Sequence, residues 1–375
     1  MKILFIAPRF HSNQYALVKK LSEEGHNVEF YVIGKGNSED YTFIKPKLIP
    51  ISILTKIYIY FFKRSKQVDI FDYASIALPS IREYYKRIID VKADVIIIRV
   101  GNYPYFLMLL PFILFFRKKV IYYSQQPKYE NKKVWKKDFF NKIVSFHYKI
   151  PWYSPVLYYG NWNDTKQNNE YITYIPFFCE KNIPSVGIEK IKENKEIMFL
   201  CVAKYEKRKG IEELIKAVDI LVRKGYKFKL TIIGSTGTKT REDFFLKLQE
   251  KVDFLKLGVV VELKKNIPYS RMSKEYSRHQ VFILPTTKEP ASVSQLEAMS
   301  YGLAIICSND NGTAHYVKNQ KNGFLIKPDS QSIGVAMEEY LTNFTLLFEH
   351  QKKSLYIIEN ELSIDKSCSA LLNMI

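Results

Sequence analysis

The stretch VFILPTTKEPASVSQLEAMSYGLAIIC, residues 281–307, reads as a strand, a loop, a helix and a second strand. Apolar runs at 281–284 and 303–307 predict the two strands, because each run is short and is bounded by residues that favour turns. Glu289 then falls in the loop that leads from the first strand to the helix. Glu297 falls inside the helix. The stretch therefore presents two carboxylates around a single helix start.

The predicted helix has a recognisable signal at each end. Ser292, followed three residues later by Gln295, is a capping-box pattern, so the helix should begin at about Val293. Gly302 fits the position just after its last residue. In a parallel sheet, ligands bind at the loops that follow the carboxyl ends of strands, and a helix N-terminus there favours anionic groups. This loop is therefore a candidate ligand site.

Strand and helix patterns alternate along both halves of the chain, which predicts doubly wound parallel sheets. One β-α-β pattern occupies residues 2–33, and a second begins at residue 196. Between the halves, residues 176–194 are charged and aperiodic and contain prolines and a glycine. We therefore predict an α/β protein with two domains, residues 1–178 and 179–375, in which the last helix is a candidate to return to the first domain.

The chain of 375 residues has a net charge of +19. Residues 1–180 alone hold 27 Lys and Arg against 15 Asp and Glu. A basic surface favours acidic partners, namely nucleic acid, anionic lipid or phosphorylated substrates. The four cysteines are scattered without a CxxC pair, which predicts a reducing compartment and no structural zinc site. The amino-terminal apolar run reads as a buried strand and not as a signal peptide, so the expected location is the cytoplasm.

Two segments raise the question of membrane contact. Residues 49–66 combine apolar, aromatic and basic residues, and they predict either a half-buried helix with a solvated basic end or a segment that lies on anionic lipid. Residues 105–116 predict an apolar helix, for which core packing is favoured over membrane contact. No apolar run reaches the length of about 20 residues that a spanning helix needs. A peripheral position on the inner face of the plasma membrane stays open.

Three features of the second half point to phosphate or hydroxyl ligands. The sequence AKYEKRKG, residues 203–210, puts Lys204 after a strand and Lys209 before a helix, where both suit a diphosphate; a solvated basic loop is the plainer interpretation. The turn that begins at Gly234 either brings backbone close to a ligand or is simply tight. Glu297 lies among apolar residues and needs a donor, which a sugar or ribose hydroxyl would supply.

These motifs resemble one known family. AKYEKRKG, the glycine turn and EPASVSQLEAMSYGLAIICSNDNGTAHYVKNQKNGFLI together resemble the family 4 retaining glycosyltransferases of the GT-B fold. The match is specific over residues 197–330 and weaker over residues 1–177. The resemblance implies two Rossmann-like domains that face a cleft, with the nucleotide-sugar donor bound by the second domain and acceptor contacts supplied by the first.

The resemblance also implies roles for individual residues. Lys204 and Lys209 would contact the donor diphosphate, and Glu289 would bind hydroxyls of the transferred sugar, so these three form the predicted catalytic set. Glu297 would hold the ribose. The backbone amides before and at the helix start would meet the sugar and phosphates. The implied donor-binding set comprises Gly234, Ala291, Ser292, Val293 and Glu297.

Two parts of the first half depart from the family pattern. Residues 11–13 (HSN) replace the glycine-rich first loop, and residues 124–126 (SQQ) stand where the family often has a histidine that contacts the donor sugar. Asn13, Gln125 and Gln126 are therefore candidate contacts to the sugar or the acceptor. The identity of the groups near the reacting carbon stays open.

The expected chemistry is cleavage of the bond between a sugar and a nucleotide diphosphate. The charge left on the phosphate oxygen would be stabilised by the two lysines and the helix N-terminus. The sequence contains no DxD motif that would indicate a metal-bridged diphosphate, so we expect no metal and no cofactor. The resemblance implies retention of configuration by reaction on one face of the sugar, with the leaving phosphate accepting the acceptor proton.

We therefore predict a hexosyltransferase that moves a sugar from a nucleotide-sugar, with UDP favoured over GDP, to a glycan or lipid-linked glycan in cell-surface polysaccharide synthesis, such as that of lipopolysaccharide or capsule. One alternative is a GT-B sugar-nucleotide epimerase, which would convert its donor without an acceptor. The other is a basic nucleic-acid-binding protein, which the net charge favours but no recognised motif supports. The predicted partners are the donor, the acceptor and an anionic membrane surface, without nucleic acid.

Overall fold

The structure is a computed structural model, and it describes residues 1–10, 12–34, 44–62, 77–100, 104–109, 119–125, 150–156, 172–179, 182 and 196–375. Contacts divide the chain into two compact units. The first unit contains Met1–Phe177 together with Ile364–Ile375, and the second contains Phe178–Ser363. The domain boundary predicted from sequence lies after residue 178, one residue beyond the end of the first segment.

The first unit is built on a parallel sheet. Its described elements are β1 (Lys2–Ala7), α1 (Ser12–Glu23), β2 (Asn27–Val32), β3 (Lys47–Leu48), α2 (Ile53–Phe62), α3 (Ile81–Val91), β4 (Val95–Arg99), β5 (Lys119–Tyr123), β6 (Trp152–Ser154) and β7 (Ile172–Tyr174). Among the described residues the sheet has seven strands in the order β3-β2-β1-β4-β5-β6-β7, and all neighbouring strands are parallel. The central strands are apolar along their length because both faces of such a sheet are buried.

The second unit is built on a similar parallel sheet. Its elements are β8 (Ile197–Val202), α4 (Ile211–Arg223), β9 (Phe228–Gly234), α5 (Lys239–Phe254), β10 (Val261–Lys265), α6 (Tyr269–Ser277), β11 (Val281–Leu284), α7 (Val293–Ser300), β12 (Ala304–Ser308), β13 (Gly323–Ile326), α8 (Ser330–Thr342) and α9 (Phe344–Tyr356). The described strands form a six-stranded sheet in the order β10-β9-β8-β11-β12-β13. The predicted α/β class with two doubly wound parallel sheets is confirmed.

The last helix, α10 (Ile364–Met374), belongs to the first unit and packs against α1. Cys368 and Leu371 on this helix are fully buried. At the edge of the contact, Lys20 Nζ lies 2.6 Å from Asp365 Oδ1. Because that pair is exposed, it contributes about 0–1 kcal/mol, and the apolar contact supplies most of the attachment.

The predicted elements of the decisive stretch match the structure closely. The strand at 281–284 is β11, and α7 begins at Val293, as the capping pattern indicates. Gly302, with φ of 75°, follows the helix end and donates its N–H to Met299 O at 2.9 Å. Of the apolar helix predicted over 105–116, residues 104–109 are helical, and the rest lies outside the described residues. No helix in the described ranges is long and apolar enough to cross a membrane.

Candidate active site

Two loops of the second unit lie where the strand order of its sheet reverses. From β8 the chain passes to β9 on one side, and β11 later joins β8 on the other side. The loops that follow β8 and β11 therefore flank a topological switch point, which is where open α/β sheets bind ligands. Lys204 and Lys209 lie in the first loop, and Glu289 lies in the second.

Close packing holds these two loops together. Gly210 has φ of 68°, and a Cβ built on it would stand 1.9 Å from the carbonyl oxygen of Pro285, a clash that only glycine avoids. The carbonyl of Arg208 accepts a hydrogen bond from the Thr287 N–H at 2.8 Å. Backbone contacts thus set the separation between the lysine loop and the glutamate loop before any side chain is considered.

Glu289 is buried between the loops, with 6% of its surface exposed. Its Oε2 accepts hydrogen bonds from Arg208 Nη1 at 2.8 Å and from Nζ of the buried Lys209. Thr286 Oγ1 donates to the same oxygen at 3.4 Å. The Glu289 N–H is donated to Asp310 O at 3.1 Å, which fixes the backbone. A buried carboxylate is costly unless it is paired and hydrogen-bonded, and Glu289 is both.

Glu206 extends this arrangement to the start of α5. Arg241 Nη2 lies 2.7 Å from Glu206 Oε1, and Arg208 Nε donates to Glu206 Oε2 at 3.1 Å. Burial by itself raises the pKa of this carboxyl, but the positive charges of the two arginines and of Lys204 hold it below its ordinary value. Glu206 is therefore ionised at neutral pH and orients both arginines.

We call these residues the cation cluster, which comprises Lys204, Glu206, Arg208, Lys209, Arg241 and Glu289. It contains four positive and two negative side chains. The net positive charge is suited to a ligand that carries about two negative charges, such as a diphosphate. The planar arginines and the lysine ammonium groups offer different donor geometries to phosphate oxygens.

The helix start after Glu289 is capped in a different way from the predicted capping box. Ser292 Oγ accepts the N–H of Gln295 at 3.3 Å, as expected. The Gln295 side chain donates to Thr313 O at 3.0 Å instead of reaching back to Ser292. The Ser292 N–H is donated to Thr313 Oγ1 at 3.2 Å. The glutamine therefore ties α7 to the loop after β12, and a distant threonine completes the cap. Ala291 and Val293 flank this cap on the backbone.

Glu297 lies on α7 in an aromatic setting. Tyr276 Oη donates a hydrogen bond to Glu297 Oε2 at 2.8 Å, and the rings of Tyr276 and Tyr301 stack with centroids 5.3 Å apart. Burial, together with the negative charge of Glu297, raises the pKa of the Tyr276 hydroxyl and that of the Tyr269 hydroxyl. Both hydroxyls therefore keep their protons at neutral pH, and Glu297 is held by neutral donors.

Packing supplies a reason for glycine at position 234, which stays a predicted donor-binding residue. It is the last residue of β9, and a Cβ there would stand 2.3 Å from Ala203 O and 2.8 Å from the Tyr205 ring. Tyr205 is fixed in turn, because its hydroxyl donates to the carbonyl of Lys264 at 2.7 Å. The sequence left ligand approach and a tight turn open. The structure adds a third reason for glycine, the close approach of the loop after β8.

The candidate contacts of the first half belong to the other unit. Gln125 is buried just after β5, and its Nε2 donates to Tyr123 Oη. The Tyr123 ring stacks on that of Tyr153 with centroids 4.8 Å apart. Gln126 lies outside the described residues, and so does the side chain of Asn13, whose backbone is in α1.

Sequence reasoning missed four residues of the site, three of them in the cation cluster. Arg208 and Glu206 lie inside the quoted AKYEKRKG motif, yet nothing in their spacing shows that one arginine contacts two carboxylates. Arg241 lies in the first turn of α5, and only the sheet order brings it near Glu206. The Tyr276 hydroxyl was also missed, because tyrosine in an amphipathic helix is read as core.

Comparison with known proteins defines the class of the second half. Residues 187–359 match the family model described as Glycosyl transferases group 1. The chain is 32% identical over 154 residues to the capsular polysaccharide biosynthesis glycosyltransferase CapM of Staphylococcus aureus, which covers 41% of this chain and 39% of that protein. It is 26% identical over 209 residues to the glycogen synthase of Thermodesulfovibrio yellowstonii, covering 56% and 37% of the two chains. The matches thus span about two fifths of the length of these curated relatives.

Solved structures extend the likeness to the whole chain. A glycosyltransferase from Rickettsia africae superposes with a TM-score of 0.73 at 15% identity, covering 100% of this chain and 97% of the other. HepE of Anabaena, solved with UDP-glucose, gives a TM-score of 0.71 at 12% identity and covers 100% of both chains. The chain therefore has the GT-B fold, and residues 187–359 carry the match to the group 1 glycosyltransferases.

Proposed function

We propose that the protein is a glycosyltransferase of family 4 that transfers a hexose from a nucleotide-sugar with retention of configuration. The observation that carries this proposal is the cation cluster at the switch point of the second sheet, where a buried carboxylate shares its oxygen between Arg208 and Lys209. Such a cluster combines cations for a diphosphate with a carboxylate for sugar hydroxyls. Few ligands other than a nucleotide-sugar carry a diphosphate and sugar hydroxyls next to each other.

Each group then has a separate task. Lys204, Lys209 and Arg208 stabilise the charge that develops on the leaving phosphate, because fixed cations in a partly buried site need no rearrangement during the reaction. Glu289 accepts hydrogen bonds from hydroxyls of the transferred sugar, and Glu297 accepts them from the ribose. The leaving phosphate takes the proton of the acceptor. The proposed mechanism uses no bound metal and no cofactor.

The relatives support a role in cell-surface polysaccharide synthesis. CapM is described as a capsular polysaccharide biosynthesis enzyme, and AmsK of Erwinia amylovora as one for amylovoran biosynthesis. Both HepE and TarM of S. aureus were solved with UDP or a UDP-sugar, whereas one relative, from Xenopus laevis, is described with GDP-mannose, so we propose a UDP-sugar as donor ahead of a GDP-sugar. The first unit binds the acceptor, a glycan or lipid-linked glycan. The protein works in the cytoplasm, peripherally on the inner face of the plasma membrane.

Thermal unfolding with a panel of UDP- and GDP-sugars tests the donor assignment, because a ligand that binds the native state raises its stability. At a concentration of about 100 times Kd, one donor should stabilise the protein by about 2.7 kcal/mol. Incubation of that donor with and without glycan acceptors then tests transfer. Conversion of the donor without any acceptor would indicate an epimerase, and stabilisation by RNA but by no sugar nucleotide would contradict the proposal.

A further inference from the structure

The helix α2 (Ile53–Phe62) exposes an apolar face. Five of its large hydrophobic side chains are between 48% and 75% exposed: Ile53, Leu54, Ile57, Tyr60 and Phe61. At about 100° per residue these five occupy a continuous arc of roughly 120° around the helix. Scattered exposed hydrophobic residues are normal on soluble proteins, but a contiguous stripe of this size marks an interaction surface.

The opposite side of α2 faces the protein and contains Thr55 and the half-buried Ile59. Thr55 is the inward residue and is 6% exposed. Its Oγ1 donates to Leu78 O at 3.2 Å and accepts the Leu78 N–H at 3.0 Å. Ser52 Oγ accepts the Thr55 N–H at 3.2 Å. A polar side chain therefore anchors the inward side of the helix, while a wide apolar stripe faces outward, where an ordinary surface helix is polar.

The dimensions and composition of this face suit the interface of a bilayer. Ten residues make a helix of about 15 Å, half the thickness of the hydrocarbon core, so α2 is suited to lying on a membrane. Aromatic residues such as Tyr60 and Phe61, whose rings pack edge to face 5.3 Å apart, favour the headgroup boundary. Lys56 is exposed at the edge of the stripe, where a cation meets lipid headgroups.

Charge decides which occupant fits. The first 180 residues hold 27 Lys and Arg against 15 Asp and Glu, and the sequence after α2 continues with Lys63, Arg64 and Lys66, which lie outside the described residues. A second copy of this chain would bring the same positive charge to the contact and be repelled. An anionic lipid surface is attracted by each basic residue near it.

We propose that the outward face of α2 docks the protein onto the surface of an anionic lipid bilayer. The five apolar side chains enter the headgroup boundary, while Lys56 stays at the level of the lipid phosphates. Docking of this kind is reversible, because a single short helix buries little apolar area. The proposal concerns attachment alone and does not depend on the sugar-transfer activity.

Flotation of the full chain with vesicles tests this proposal. Vesicles of phosphatidylcholine mixed with phosphatidylglycerol are compared with vesicles of phosphatidylcholine alone. The variant Leu54→Ser/Phe61→Ser should reduce the partition coefficient for the anionic vesicles about tenfold or more. The matched control is Phe254→Ser/Val259→Ser in the second unit, where the two side chains are 85% and 79% exposed, and it should bind like the unmodified protein.

All the replaced side chains are exposed, so the melting temperature of both variants should stay unchanged and any loss of binding reports on the surface. Equal binding by the α2 variant and the unmodified protein would overturn the proposal, and so would an equal loss in the control. Sedimentation that shows a dimer, which the α2 variant converts to a monomer, would assign the face to a second copy and overturn it too. Donor binding measured on the same samples keeps this result separate from a failure of the proposed activity.

Discussion

Glu289 and Glu297 lie eight positions apart in the chain and occupy opposite kinds of environment. Glu289 is in a loop, buried, and shares its oxygen between an arginine and a lysine. Glu297 is on α7, half-buried, and accepts a hydrogen bond from the Tyr276 hydroxyl. One carboxylate is thus neutralised by charge, and the other is held by a neutral donor.

This difference indicates how the work of the site is divided. The cations around Glu289 could also pair with a phosphate group, so the proposed mechanism places Glu289 where charge changes during transfer. The tyrosines around Glu297 offer no such exchange, and in the proposed mechanism Glu297 is a fixed acceptor for hydroxyls. The two residues should respond differently to substitution, and the expected effects can be ranked.

Glu289→Ala should have the largest effect. We expect transfer to fall about a thousandfold or more, because the substitution disorders the groups that stabilise the leaving phosphate. The unfolding free energy should also fall by about 3–5 kcal/mol, since Lys209 is left buried without its partner. Initial rates at saturating donor and urea unfolding measure the two effects separately.

The double variant Glu289→Ala/Lys209→Met provides the control for this prediction. Removing both partners should restore most of the lost stability, because no unpaired buried charge remains. Transfer should stay abolished. A double variant with normal transfer would show that the pair is structural only and would remove Glu289 from the catalytic set.

Glu297→Gln should have an intermediate effect that is confined to binding. The amide keeps one acceptor oxygen but loses the charge-assisted hydrogen bonds, which weakens donor binding by about 1.4–2.7 kcal/mol, or roughly ten- to a hundredfold. The KM for the donor should rise while kcat stays within a few-fold. A collapse of kcat at unchanged KM would place Glu297 with Glu289 and end the distinction between them.

Tyr276→Phe should have a smaller effect through the same carboxylate. It removes one hydrogen bond to Glu297, and we expect donor affinity to fall by about 1 kcal/mol, or roughly fivefold. In a Glu297→Ala background the Tyr276→Phe substitution should cause no further loss of donor affinity, because the carboxylate that the Tyr276 hydroxyl positions is absent. Additive losses would mean that Tyr276 acts on the donor directly. Isothermal titration calorimetry with the donor measures the unmodified protein, the two single variants and the double variant.

Glu206→Gln should have the smallest effect, visible in acid. The folded-state pKa of Glu206 is lowered, so its ion pairs stabilise the fold above its ordinary pKa and are lost as pH falls through the lowered value. Between neutral pH and about pH 3.5, the unmodified protein should therefore lose more stability than Glu206→Gln. We expect a difference of less than about 1 kcal/mol, because the pair is partly exposed. Equal loss in both proteins would argue against the lowered pKa.

Much of the second unit was predictable because its signals are local. The strand at 281–284, the start of α7 at Val293 and the glycine after its end follow from apolar periodicity, a capping serine and the left-handed conformation that glycine tolerates. The alternation of strands and helices likewise predicted parallel sheets. The candidate Lys204, Lys209 and Glu289 lie in short motifs, so their positions on strand ends could be read directly.

The rest depended on contacts between residues distant in sequence. Gln295 has the right spacing for a reciprocal cap, but Thr313 competes for it, and the threonine comes from another loop. The sequence also could not predict which side of α2 faces the protein, because an apolar stripe on a helix normally indicates the side that packs in the core. The hydrogen bonds of Thr55 to Leu78 turn that residue inward and leave the apolar stripe exposed.

The sequence by itself determined the α/β class, the helix start beside Glu289 and the resemblance to a sugar-transferring family, since these depend on neighbours within about one or two helical turns. Tertiary structure alone decided that Arg208 joins Glu206 to Glu289, that Arg241 completes the cation cluster and that Glu297 is held by a tyrosine. The physical reason is the strand order. A parallel sheet brings together the carboxyl ends of strands that are far apart in the chain. No local sequence pattern shows which side chains will meet there.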